Sequence, residues 1–82
     1  MVSRDQIMSQ AQVILREVLD SPKLVLSDGL TASKVEGWDS FKNITLVMTL
    51  EQHFNVSFTT REVMGWSNVG AMLDCLEDKL NK

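Results

Sequence analysis

Ser40 is the residue of this chain best placed to do chemistry, within the run Gly37-Trp38-Asp39-Ser40-Phe41. It stands where an irregular segment gives way to an amphipathic run over 42–54. A serine there lies at the first turn of a helix, where unpaired backbone N–H groups and the positive end of the helix dipole favour a bound anion. That suits attachment of a phosphate ester. Catalysis by Ser40 alone has no support, because the one histidine, His53, lies thirteen residues further on, more than three turns at about 3.6 residues per turn. The serine therefore lacks a general base. With a single cysteine, Cys75, and a single histidine, the sequence offers no internal disulfide and no metal-ligand cluster. Taken alone, Asp39-Ser40 reads equally well as a plain helix start with Asp39 as its N-cap.

The residues downstream tip the balance toward modification. Asp39-Ser40-Phe41 is followed by Val47-Met48, Leu50-Glu51 and Phe54, and this pattern resembles the acyl carrier protein family, in which an Asp-Ser-Leu motif carries 4'-phosphopantetheine on its serine. The resemblance spans nearly the whole chain, from about Ser3 to Leu80. It implies that Ser40 is the substrate of a separate phosphopantetheinyl transferase, which installs the arm from coenzyme A. Asp39 then has a second duty beside capping, helping that transferase hold its metal-bound coenzyme A. The reactive atom is the terminal thiol of the cofactor, and the protein supplies attachment, orientation and partner recognition rather than catalysis. The remaining partners are an acyl ligase or acyltransferase and downstream biosynthetic enzymes.

The chain departs from the family pattern in two places. Phe41 replaces the usual leucine, and the helix after Ser40 presents Lys42, Thr45, Gln52 and His53, with Glu51 as its one acid, where fatty-acid carriers place a row of acids. Recognition by general fatty-acid synthesis enzymes is thereby put in question, and a specialised carrier with dedicated partners is expected. An aminoacyl or peptidyl carrier is the alternative in the same class, although Asp39 before the serine favours the acyl type. From another class, an unmodified helical interaction module would share the same bundle.

The elements that position Ser40 follow from periodicity and capping. Ser3 with Gln6 forms a capping box ahead of Ile7, Ala11, Ile14, Leu15 and Val18, which predicts a first helix over about 4–19. Asp20-Ser21-Pro22 ends it. Residues 23–38 lack a clear period and read as an ordered loop anchored by Leu24, Leu26 and Leu30, crossing the bundle to bring Ser40 to an exposed end. A second helix is predicted over about 40–53. Residues 55–58 are β-branched enough to suggest a strand, but no partner strand exists elsewhere. Thr59 with Glu62 is a second capping box, opening a short third helix that ends near Gly65. Ser67 is the expected cap of a fourth helix with the stripe Val69, Met72, Leu73, Leu76 and Leu80. The sum is an all-α fold, a four-helix bundle with a long first connection and a short third helix.

At about 100° per residue, the second helix carries two apolar stripes, Leu46, Val47, Leu50 and Phe54 on one face and Phe41, Ile44 and Met48 on another. One core cannot take both. Either the long loop and third helix cover the second stripe, through Leu30 or Val63, or it stays open as a docking patch beside the cofactor. Phe41, Ile44, Met48 and Glu51 are on this reading the partner-binding residues. Trp66 is expected in the core against the second and fourth helices. Trp38 belongs either to the core or to the surface beside the prosthetic group. Cys75 reads as a small semi-buried residue and His53 as solvated.

Composition sets the outer limits. A chain of 82 residues with 44% hydrophobic and 23% charged residues is a single folded domain, 1–82. Eleven acids against eight bases give a net charge of −3, which disfavours nucleic-acid binding. No apolar run approaches the length of a membrane span, and the N-terminal residues lack the plan of a signal peptide. A cytoplasmic monomer is the expectation. Asn43-Ile44-Thr45 and Asn55-Val56-Ser57 match the glycosylation sequon as chance occurrences in such a setting.

Overall fold

The computed structural model describes residues 2–81, in which α1 (Arg4–Val18), α2 (Ser40–Phe54), α3 (Thr60–Met64) and α4 (Val69–Leu80) are joined by loops, with a 3-10 turn at Ala32–Lys34. No strand occurs among the described residues, and residues 55–58 are irregular. The expected all-α bundle with a long first loop and short third helix is the observed architecture.

Each helix begins where a side chain satisfies its orphan N–H groups. Ser3 Oγ accepts from the Gln6 N–H at 3.2 Å while the Ser3 N–H donates to Gln6 Oε1 at 3.1 Å. Thr59 and Glu62 repeat this reciprocal box at α3, at 3.1 and 2.8 Å. Asp39 Oδ1 accepts the Lys42 N–H at 2.8 Å to open α2. At α4 the expected cap is corrected: Asn68, not Ser67, is extended at the cap position, and its Oδ1 takes the Ala71 N–H at 2.8 Å. Ser67 lies one residue too early to reach it. The ends are local as well: α1 stops at Leu19 before Asp20 in the left-handed region (φ 52°), and α2 stops at Asn55 with φ 56°. Asparagine and aspartate tolerate that conformation better than other non-glycine residues.

The helices pack through one core. α1 contributes Ile7, Ala11, Ile14 and Leu15, α2 contributes Leu46 and Leu50, and α4 contributes Val69, Met72, Leu73 and Leu76. α1 lies against both α2 and α4. Val18, Phe54 and Leu80, predicted on the same stripes, are half-buried at its margin.

The long connection is held along its length. Leu26 is buried, and Leu24 and Leu30 pack at the core margin, as the loop reading requires. The Leu26 N–H donates to Gln12 Oε1 at 2.9 Å, and Arg16 Nε donates to the Leu24 carbonyl at 2.7 Å, fastening the first half to α1. The second half caps α4 from outside: the Val69 and Gly70 N–H groups donate to the Leu30 and Asp28 carbonyls, each at 2.8 Å. Two donors that a helix start leaves unpaired are thus satisfied by the loop. Gly70 permits this approach, since a Cβ there would stand 2.9 Å from the Asp28 carbonyl oxygen. Arg4 adds charge-assisted contacts to Asp28, Asp74 and the Gly70 carbonyl. A loop fixed at α1 and α4 delivers residues 37–39 to one place.

Candidate functional site

Ser40 is the first residue of α2 and is exposed. Gly37, three residues earlier, has φ +87°, a left-handed turn that suits glycine and directs the chain into the helix start. Asp39 follows in extended geometry and spends one carboxylate oxygen on the Lys42 N–H. The other helix-start donors, the exposed hydroxyl and the dipole together make this end receptive to a phosphate ester.

Beside Ser40 opens a cavity of about 350 Å³ lined by Trp38, Asn43, Val63, Trp66, Asn68 and Met72. Trp38 is half-buried, and its Nε1–H donates to Asn43 Oδ1 at 3.2 Å. Both alternatives for Trp38 are thus partly met, since it packs on the core margin and also shapes the surface next to Ser40. Asn43 was not singled out from the sequence. Its spacing carried the signal, because residues three apart on a helix are neighbours on its surface.

Trp66 departs from the expected core position. It is half-buried, meets Phe58 edge to face at a centroid distance of 5.0 Å, and lines the cavity. Its indole N–H is shielded from water and has no hydrogen-bond partner among the described residues. It packs against the margin of the core rather than within it.

The second stripe of α2 is open. Phe41, Ile44 and Met48 are 74%, 61% and 56% exposed, and Met64 of α3 is 82% exposed. Covering by Leu30 or Val63 does not occur to any extent that hides them. Glu51 is half-buried, and its Oε2 accepts the Phe58 N–H at 2.9 Å, so its carboxylate already orders the turn after α2. Lys42 flanks the start of the helix.

Away from Ser40, local contacts shift Glu62 and Cys75. The Glu62 carboxyl is held below its usual range by the Thr59 N–H and by Lys79, whose Nζ lies 3.0 Å away. Burial pushes the Cys75 thiol up, which favours its protonated form. His53 is exposed and pairs with Gln10 Oε1 at 2.8 Å.

A family model for the phosphopantetheine attachment site matches residues 11–76 of this chain. An acyl carrier protein of Cyanidium caldarium is 33% identical over 82 residues, covering 99% of this chain and 94% of that protein. The chain belongs to the acyl carrier protein family. The fold agrees: the solution structure of a holo acyl carrier protein from Geobacter metallireducens matches with a TM-score of 0.87 at 29% identity, over 92% of this chain and 86% of that one. Membership makes the protein a carrier rather than an enzyme, and makes its cofactor covalently attached 4'-phosphopantetheine. The residues present fit that group. An exposed hydroxyl at a capped helix start can take the phosphate, and the adjoining cavity offers apolar walls and amide side chains to the arm.

Proposed function

We propose that Ser40 is the attachment serine and that the protein carries acyl groups for a specialised biosynthetic pathway, presenting them to dedicated enzymes. The observation that carries the first half is the placement of an exposed Ser40 behind the Asp39 cap and the Gly37 turn, at the mouth of a cavity. When bound, the cofactor supplies a terminal thiol that holds the acyl group as a thioester. The chain itself orients the arm and displays a recognition surface.

That surface is Phe41, Ile44 and Met48, together with Glu51. Support for dedicated partners comes from its character: three open apolar side chains, a lysine at the helix start, and one acid already engaged with a backbone N–H. A basic patch on a general fatty-acid synthesis enzyme would find little to pair with here, whereas an apolar groove would. The partners are a phosphopantetheinyl transferase, for which Asp39 is a recognition element, then an acyl ligase or acyltransferase and the enzymes downstream. Among the described residues no helix is long and apolar enough to cross a membrane, and a cytoplasmic, monomeric carrier is our reading.

Intact mass after co-expression with a broad-specificity phosphopantetheinyl transferase tests the attachment. The native chain should gain the mass of one arm and Ser40→Ala none. A gain on Ser40→Ala would reject the assignment.

A further inference from the structure

The hydrogen-bonded pair Trp38 and Asn43 sits within one helical turn of Ser40 and lines the same cavity. An indole N–H can only donate, so its 3.2 Å contact fixes which end of the Asn43 amide is oxygen. The Asn43 NH₂ group is thereby turned away from Trp38 with two donors to give, and no other described residue takes them. Side chains on a helix lean toward its N-terminus, and residues three apart have Cβ atoms about 5–6 Å from each other. For Asn43 that direction leads to Ser40.

We propose that Asn43 is a positioning residue for the prosthetic arm. Its NH₂ donates to an oxygen acceptor on the half of the arm nearest Ser40, a phosphodiester oxygen or the first amide carbonyl, and Trp38 holds the amide in the orientation that does so. The arm is thereby turned along the wall of Trp66, Val63 and Met72 instead of standing free in solvent. A flexible arm loses conformational entropy when it is laid against a wall, and a hydrogen bond near its root offsets part of that loss. The inference rests on Ser40 being the attachment site, and the test keeps the two apart because loading is read by mass alone.

The experiment uses the full chain, labelled with ¹⁵N and ¹³C, in apo and loaded forms. Loading should move the Asn43 side-chain amide resonances, and cross-peaks should join arm protons to the Trp66 ring. Asn43→Asp keeps the acceptor for Trp38 but removes both donors, so it should load to one arm per chain and lose those cross-peaks. Trp38→Phe should weaken them by freeing the amide to turn. A ³¹P resonance that differs between the native chain and the uncharged Asn43→Leu assigns the acceptor to the phosphodiester, and an unchanged one assigns it to the amide carbonyl. The proposal is overturned if the Asn43 amide is unmoved by loading, or if the arm contacts of a folded Asn43→Asp match those of the native chain. Should that variant not fold, the native-chain amide shift decides alone. A native chain that never loads would reject the attachment site itself, visible as an unchanged mass.

Discussion

Gly70→Ala tests whether the long loop is fixed by its contact with α4. The substitution adds one methyl group at a helical position, where alanine is ordinarily favoured over glycine by about 1 kcal/mol. Here the new Cβ would stand 2.9 Å from the Asp28 carbonyl oxygen, 3.1 Å from Asp28 Cβ and 3.3 Å from Asn68 Oδ1. The first of these is backbone, so no rotamer change relieves it. The loop must retreat, stretching the 2.8 Å bonds from the Gly70 and Val69 N–H groups to Asp28 and Leu30. Two backbone hydrogen bonds are worth about 1 kcal/mol each, and more where the freed donors are shielded from water. Set against the gain in helix propensity, the net cost is about 1–2 kcal/mol. For a domain of this size that lowers Tm by roughly 4–15 °C. Thermal melting followed by circular dichroism at 222 nm reads it directly. A Tm equal to or above that of the native chain would refute the account of how the loop is docked, and with it the account of how Gly37, Trp38 and Asp39 reach the start of α2.

Trp66→Ala should cost about 2 kcal/mol by urea denaturation, less than the roughly 3–5 kcal/mol typical of a fully buried tryptophan, because the ring is only partly buried at the core margin. Trp66→Phe should cost less than half of that, since it removes an unsatisfied indole N–H while keeping a ring against Phe58. Glu62 makes stability depend on acid: its folded pKa is lowered from 4.5 by the Thr59 N–H and Lys79, so its contribution is present above that value and lost as pH falls through the depressed one. The Tm difference between the native chain and Glu62→Gln should therefore be largest near neutrality and shrink below about pH 4; a difference that grows in acid would contradict the pairing. Met48→Ala should leave Tm within a degree or two, as an exposed side chain, while weakening association with the cognate acyl-loading enzyme about fivefold or more. Native binding should change little between low and moderate salt; a steep salt dependence with indifference to Met48→Ala would hand recognition to the acids.

What could be read from the sequence was what short-range chemistry determines. The capping boxes at Ser3 and Thr59 and the cap at Asp39 involve groups three residues apart, and all three appear as expected. The stripes of α1, α2 and α4 follow from helical period alone. At α4 two good capping residues, Ser67 and Asn68, stand side by side, and only the backbone geometry at Asn68 identifies it as the cap in place of the expected Ser67. The depth of Trp66 was not legible, because large aromatics usually fill cores, whereas its ring here lies at the core margin against Phe58 and a cavity, contacts that only the tertiary arrangement fixes. Whether Phe41, Ile44 and Met48 lay under the loop turned on the path of residues 23–38, which has no period. That path depends on long-range bonds to Gln12 and Gly70, separated from their partners by 14 and 42 positions. The cavity beside Ser40, with Asn43 on its wall, arises from the same placement.

The central claim is that one serine carries the arm, and intact-mass spectrometry of the loaded native chain followed by peptide mapping tests it most directly. The account predicts a single added phosphopantetheine, located on the peptide that contains Ser40, and none on Ser40→Ala that retains the native circular dichroism spectrum. An arm mapped to any other serine, or a correctly folded native chain that stays unmodified with an active transferase and coenzyme A, would contradict it.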